Sequence, residues 1–183
     1  MIPTNTPQPV STATPTAPAR FPRPLEVGIV VLVAGLDQLA KWLVRMNLPL
    51  WDQREIIPGF LNLVHVQNTG AAFGLLNNVD FPYKSAVMIG IAALALIAIA
   101  AYATQLGFHE RAARLGLAFI LGGAIGNLLD RSIFGHVVDF IDVYWGSVHF
   151  WAFNVADAAI TAGAILVLLD ILGFGRHHAP DSV

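Results

Sequence analysis

Four apolar runs divide this chain, at residues 26–46, 84–105, 112–131 and 154–174. Each is close to the ~20 residues an α-helix needs to cross the hydrocarbon core of a bilayer. Lipid offers no partners to backbone N–H and C=O groups, so runs of this length must satisfy them internally as helices. Composition agrees, with 56% hydrophobic residues, 12% charged residues and a mean hydropathy of +0.64. A soluble domain carries about a quarter charged residues. The expected fold class is therefore an all-α polytopic membrane protein with four transmembrane helices occupying residues 25–174, and the bilayer is its first partner.

The flanks read differently. Residues 1–24 are rich in Pro, Thr and Ala, cannot bury a core, and are expected to form a disordered tail. They lack the basic start and the apolar stretch of a secretory signal peptide. Residues 175–183 form a second short tail. The chain has no cysteine, which excludes disulfides, thiolate metal sites and thiol nucleophiles. Its formal net charge is -2, with no basic patch interleaved with aromatics, so nucleic acid is not an expected partner.

The polar residues inside the runs carry the information. Asp37 and Lys41 are four apart in the first run and share a helix face. They pair structurally, face a site in the bundle interior, or do both. The third run ends in Asn127, Asp130 and Arg131, with the amide and carboxylate three apart on one face. The fourth begins with Asn154 and Asp157 at the same spacing. That last pair also fits a helix N-cap with a stabilising charge in the first turn. Gly122, Gly123 and Gly126 give the third run a small-residue face for close helix packing, or room for an incoming helix. The second run carries no site of its own.

Between the first two runs, Ile57-Pro58-Gly59 reads as a turn and residues 60–67 partly alternate, as a short strand or hairpin does. Asn68-Thr69-Gly70-Ala71-Ala72-Phe73-Gly74 follows, small except for Phe73, and suits either a turn or the close approach of a ligand. The loop over residues 132–153 holds Asp139 and is rich in aromatics, which suits a membrane interface. Cations favour both termini on the cytoplasmic side: Arg20, Arg23, Arg111, Arg114 and Arg176 against Arg45, Arg54, Lys84 and Arg131. Four spans then carry Asp37, Lys41, Asn127, Asp130, Asp139, Asn154 and Asp157 to the outer half of the membrane or just above it. Charges at such depth are costly unless paired or used.

Two aspartates brought close together share a proton, one acting as base on water and the other as acid toward a carbonyl oxygen. Asp139 and Asp157 are the candidates, with Asp157 the more acidic because it sits at the positive end of its helix. A serine–lysine pairing of Lys41 with Ser132 or Ser147 has no spacing to support it. His65, His136 and His149 are scattered, and no metal or cofactor is expected. A small transporter with ion-ligating carboxylates, or a scaffold locked by polar contacts, are the competing readings.

Five blocks in order resemble the lipoprotein signal peptidase (signal peptidase II) family of the bacterial inner membrane. They are Asp37-Gln38 with Lys41, Asn68 to Gly74, Gly126 to Arg131, Val137-Val138-Asp139-Phe140, and Phe153 to Asp157. The resemblance implies four spans with a small extracytoplasmic β-structured cradle, placed at residues 57–75. It implies an aspartyl endopeptidase that cuts prolipoproteins before a diacylglyceryl-modified cysteine, with Asp139 and Asp157 as the dyad. By the same resemblance Asp37, Lys41, Asn68, Gly70, Asn127, Asp130, Arg131 and Asn154 bind substrate or support the dyad, and globomycin inhibits.

Overall fold

The computed structural model describes residues 22–70, 76, 79, 81–107 and 110–173. Both tails and residues 71–75 lie outside that description. Four helices carry the architecture: α1 (Pro24–Asn47), α2 (Lys84–Ala103), α3 (Arg111–Phe134) and α4 (Val155–Ile171). Strands β1 (Gln53–Ile57) and β2 (Leu61–Asn68) lie between α1 and α2, while β3 (Val137–Trp145) and β4 (Val148–His149) lie between α3 and α4. All four strands therefore gather at the end of the bundle where α1 and α3 finish and α4 begins. They form one antiparallel sheet in the order β1-β2-β3-β4. Helices α1, α2 and α3 are long and apolar enough to cross a membrane.

Local chemistry sets the helix ends. Pro24 occupies the first turn of α1, and the Arg23 N–H donates to the Glu26 carboxylate at 2.5 Å. The helix stops before Leu48-Pro49, where Leu48 is extended, as a residue preceding proline prefers. Gly135 ends α3 in the left-handed region (φ 77), its N–H bonding to Arg131 O. Asn154 and Asp157 form a reciprocal capping box at the start of α4, so the capping reading of that pair is correct.

The core is organised around α3, which packs against α4, α1 and α2. Its glycines make this possible. A Cβ on Gly122 would lie 2.8 Å from Val33 Cβ of α1, and one on Gly126 would lie 2.5 Å from Asp37 Oδ2. A Cβ on Gly123 would collide with Ala156 O of α4, and Gly116 and Gly163 face each other's carbonyl oxygens across the α3–α4 seam. The expectation that these glycines leave room for an incoming helix is thereby overturned. Their space is filled by the protein's own α1 and α4.

The sheet also departs from expectation. A cradle over residues 57–75 accounts for β2 alone, since β1 precedes it and half of the sheet comes from the second loop. Residues 137–145 hold Asp139 and Asp142 three apart, which breaks period-two alternation. The β-branched and aromatic content of Val-Val-Asp-Phe-Ile-Asp-Val-Tyr-Trp is what marks the strand. Between the Leu63↔Ile141 and Val66↔Asp139 pairs, β2 carries one extra residue, a bulge that buries Val64 and His65 in succession beside Asp139.

A second departure lies at the other end of the bundle. Not every unusual polar residue gathers near the sheet. Glu26 in the first turn of α1 and Arg114 in the first turn of α3 are buried and bonded twice, Nε–Oε1 at 2.7 Å and Nη2–Oε2 at 2.9 Å. Arg114 is thus an interhelical clamp rather than a free surface cation. Asp170 of α4 is also buried.

Candidate active site

The site is assembled where three helix termini meet the sheet. Asn154 is fully buried at the start of α4. Phe153, immediately before it, is stitched to β3: Phe140 N and Ile141 N donate to Phe153 O at 3.0 and 2.8 Å, and Phe153 N donates to Ile141 O at 3.0 Å. These bonds fix the first turn of α4 against the strand that carries Asp139.

The Asn154 amide donates to Asp139 Oδ1 at 2.7 Å, and its backbone N–H donates to Asp157 Oδ2 at 3.3 Å. One residue therefore bridges the two carboxyl groups. Each has a second amide donor: Asn68 Nδ2 reaches Asp139 Oδ2 at 3.0 Å, and Asn127 Nδ2 reaches Asp157 Oδ1 at 2.8 Å. Asp139 is 4% exposed, whereas Asp157 is only half-buried. Burial, followed by the nearby charge of Asp157, pushes the Asp139 carboxyl up to about 7, against the pull of the Asn68 and Asn154 bonds.

Behind this pair lies a buried charged cluster. Lys41, Asp37 and Asp130 are fully buried. The Lys41 ammonium lies 2.8 Å from Asp37 Oδ2 and 3.1 Å from Asp130 Oδ2, and donates to Asn127 Oδ1 at 2.8 Å. An ammonium has three protons, and all three find acceptors here. Asp37 also accepts from Ala156 N at 2.9 Å, so a carboxylate of α1 sits on the N-terminus of α4, where the helix dipole favours an anion. Asp130 accepts from Val138 N at 3.2 Å, which fixes β3 one residue before Asp139.

The first loop joins through Arg131, whose guanidinium donates to Gly70 O at 2.8 Å while Gly70 N donates to Asn68 Oδ1 at 2.9 Å. All ten residues singled out from the sequence thus belong to one hydrogen-bonded network: Asp37, Lys41, Asn68, Gly70, Asn127, Asp130, Arg131, Asp139, Asn154 and Asp157. Residues 71–74 of the small-residue block lie outside the described part.

Two further members were given no role from the sequence, Gln38 having been named only as part of the first block. Gln38 donates to Gly126 O at 3.0 Å and to Asp130 Oδ1 at 3.2 Å. Arg45 lies 3.5 Å from Asp130 Oδ1 and over the Phe134 ring, 4.5 Å from its centroid. The signal for Arg45 was present, since it continues the Asp37-Lys41 stripe by one further turn. Among the histidines, His65 donates from Nδ1 to Leu48 O at 2.8 Å and His149 pairs with Asp142 at 2.9 Å, so both work within the sheet.

Three helices long and apolar enough to cross a membrane, with a buried carboxylate network and a small sheet at one end, define a membrane-protein fold. The fold is similar to that of a solved bacterial membrane enzyme: the TM-score is 0.76 at 28% identity, covering 92% of this chain and 99% of that one. The family model described as signal peptidase (SPase) II matches residues 29–173, and the chain belongs to that family. It is 43% identical over 145 residues to the lipoprotein signal peptidase of Solibacter usitatus, covering 79% of this chain and 88% of that protein. It is 46% identical over 143 residues to the lipoprotein signal peptidase of Maridesulfovibrio salexigens, covering 78% and 90%.

Proposed function

We propose that this protein is an aspartyl endopeptidase of the bacterial inner membrane that removes the signal peptide from diacylglyceryl-modified prolipoproteins, cutting before the lipidated cysteine. The observation that carries the reading is the placement of Asp139 and Asp157, from a strand and a helix, on either side of Asn154. Membership of the signal peptidase II family supports the reaction and the substrate class. The competing transporter reading needs charges along the membrane depth. The buried charges near α4's start form one network, and at the far end Glu26 and Arg114 bond each other twice.

The chemistry follows from the two environments. Asp139, with a pKa of about 7, holds the shared proton at neutral pH. Asp157, held by two donors at a helix N-terminus, is the carboxylate. Asp157 takes a proton from a water as that water attacks the scissile carbonyl carbon, and Asp139 gives its proton to the carbonyl oxygen. Collapse of the resulting gem-diol returns a proton to Asp139 and passes one from Asp157 to the leaving nitrogen. The surroundings suit a pair that shares one proton: Lys41 touches Asp37 and Asp130, and the Arg131 guanidinium lies near Asp130, Asp139 and Asp157. Arg131, Gly70 and Asn68 line the substrate side, where the signal peptide backbone binds.

The same reading makes α4, at 17 residues, a fourth span at the short end of the usual ~17–25 range. Both termini are then cytoplasmic and the sheet is periplasmic. The scissile bond of a membrane-anchored prolipoprotein reaches the dyad at the interface, and globomycin competes for that position.

Cleavage of a diacylglyceryl-modified prolipoprotein by purified wild type, Asp139→Asn and Asp157→Asn in detergent tests the proposal. The expected result is globomycin-sensitive cleavage by wild type and a loss of about 10²–10⁴-fold or more in each folded variant. Full activity in either variant returns that aspartate to a structural role. An inert but folded wild type reopens the transporter reading.

A further inference from the structure

Behind β3, on the flank of α1, lies an apolar groove of about 390 Å³ that no step of the proposed chemistry uses. Its volume falls in the roughly 300–1,000 Å³ range of small-molecule sites. Ala40, Leu43 and Val44 of α1, Leu63 of β2 and Phe140 of β3 form its walls, and Arg54 of β1 lines it as the only charged residue. From Ala40 to Asn47 the helix rises about 10 Å, or two turns, and these are its last two turns before the sheet. In the membrane orientation proposed above, the groove lies where hydrocarbon gives way to headgroups.

We infer that this groove is a binding site for an anionic bilayer phospholipid, with one acyl chain along the last two turns of α1 and the phosphate at Arg54. Three observations select that occupant. The lining is almost wholly apolar, and its α1 edge is continuous with the bilayer-facing surface, where Leu39, Trp42, Leu43 and Met46 are exposed. The single cation lies on the sheet side, where a phosphate would sit above a chain pointing along α1. Of the acids beside it in sequence, Glu55 is engaged by Tyr144 Oη and Gly59 N, and Asp52 accepts from Gln53 N at 2.9 Å. Trp51, exposed where α1 leads into β1, marks the same level, since an amphipathic indole is favoured at a membrane interface.

The site is separate from the dyad, because successive strand residues point to opposite faces and Phe140 presents the groove while Asp139 presents the carboxyl network. It is nonetheless coupled to the dyad, since Val44, Leu48, Val138 and Phe140 form one buried cluster. A chain packed on Phe140 and Val44 supports β3 from behind.

Native mass spectrometry and thermal unfolding in detergent, with phosphatidylglycerol or phosphatidylcholine of matched chains, test this independently of cleavage. Wild type is expected to retain one phosphatidylglycerol, at least about tenfold in preference to phosphatidylcholine, and to unfold several degrees higher with it. Arg54→Gln, at an exposed position, should abolish the preference while leaving prolipoprotein cleavage in detergent unchanged, and Arg54→Lys should keep most of it. Leu43→Trp, which fills the groove, should lose retention of both lipids. Equal retention of the two lipids by wild type overturns the inference, as does a preference that survives Arg54→Gln. Retention unchanged in a folded Leu43→Trp protein places the lipid elsewhere and overturns it as well.

Discussion

Replacing Asn154 with alanine removes, in one change, the donor to Asp139 and the acceptor of Asp157 N–H. A hydrogen bond is worth about 0.5–1.5 kcal/mol net, and with two lost together cleavage should fall roughly 10–100-fold even where the fold survives. The pH profile adds a sharper test. Asp139 must be protonated to act as acid, so kcat/KM should decline as pH rises through about 7. Asn68 Nδ2 stabilises the ionised form of Asp139. Asn68→Ala should therefore raise its pKa and move the alkaline limb to higher pH, whereas a purely structural role would lower the rate without moving the limb. The linkage has the same sign. A carboxyl whose folded pKa lies above its unfolded value favours the folded state most at low pH, and that contribution is lost as pH rises from about 4 to about 7. Asp157→Asn removes the neighbouring charge and should bring the Asp139 pKa down, read by carboxyl titration of the inactive protein.

Close helix contact makes its own prediction. Gly123 of α3 and Gly163 of α4 have no room for a side chain, whereas Gly35 in α1 and Gly90 in α2 face open space. Gly163→Leu should lower thermal stability by at least the ~1–3 kcal/mol of an overpacked core, and should displace the start of α4 along with Asp157. Gly90→Ala should be neutral or stabilise by up to about 1 kcal/mol, because alanine is the better helix former. Thermal unfolding of the two variants in one detergent checks both. Gly126 faces Asp37 rather than a substrate channel, so Gly126→Leu should disrupt the Asp37–Lys41 pair and cost expression and cleavage together. The helices were plain in the sequence because length, apolar content and capping residues are local. Strand β3 was not, because it owes its register to β2, more than 70 residues away, and to the bridge with Phe153.

Across the full bundle, the Glu26–Arg114 clamp lies at the end opposite the dyad. Removing one partner of a buried ion pair costs about 3–5 kcal/mol, since the other charge is left buried and unpaired. Glu26→Gln should lower the unfolding temperature while the folded fraction keeps its pH profile, which a combined melting and activity series would show. A shifted profile would mean that the clamp reaches the dyad.

Asp37, Lys41, Asn127, Asp130, Arg131, Asn154 and Asp157 were legible because a polar side chain within an apolar run has few affordable explanations, and because three- and four-residue spacings place such groups on one helix face; Asp139 followed from its place in the loop between two of these clusters, and Asn68 and Gly70 only from the family resemblance. Their convergence at one end also followed, since successive membrane helices alternate in direction. Partner choice was not legible. That Asp37 caps α4, that Asn154 reaches Asp139 of β3 as well as Asp157 of its own helix, that the third-run glycines admit α1 and α4, and that Arg114 is claimed by Glu26 all depend on contacts between different elements. Such pairings depend on how the helices seat against one another and on a one-residue bulge in β2. Local propensity and periodicity, which act within a few turns of chain, carry no record of them.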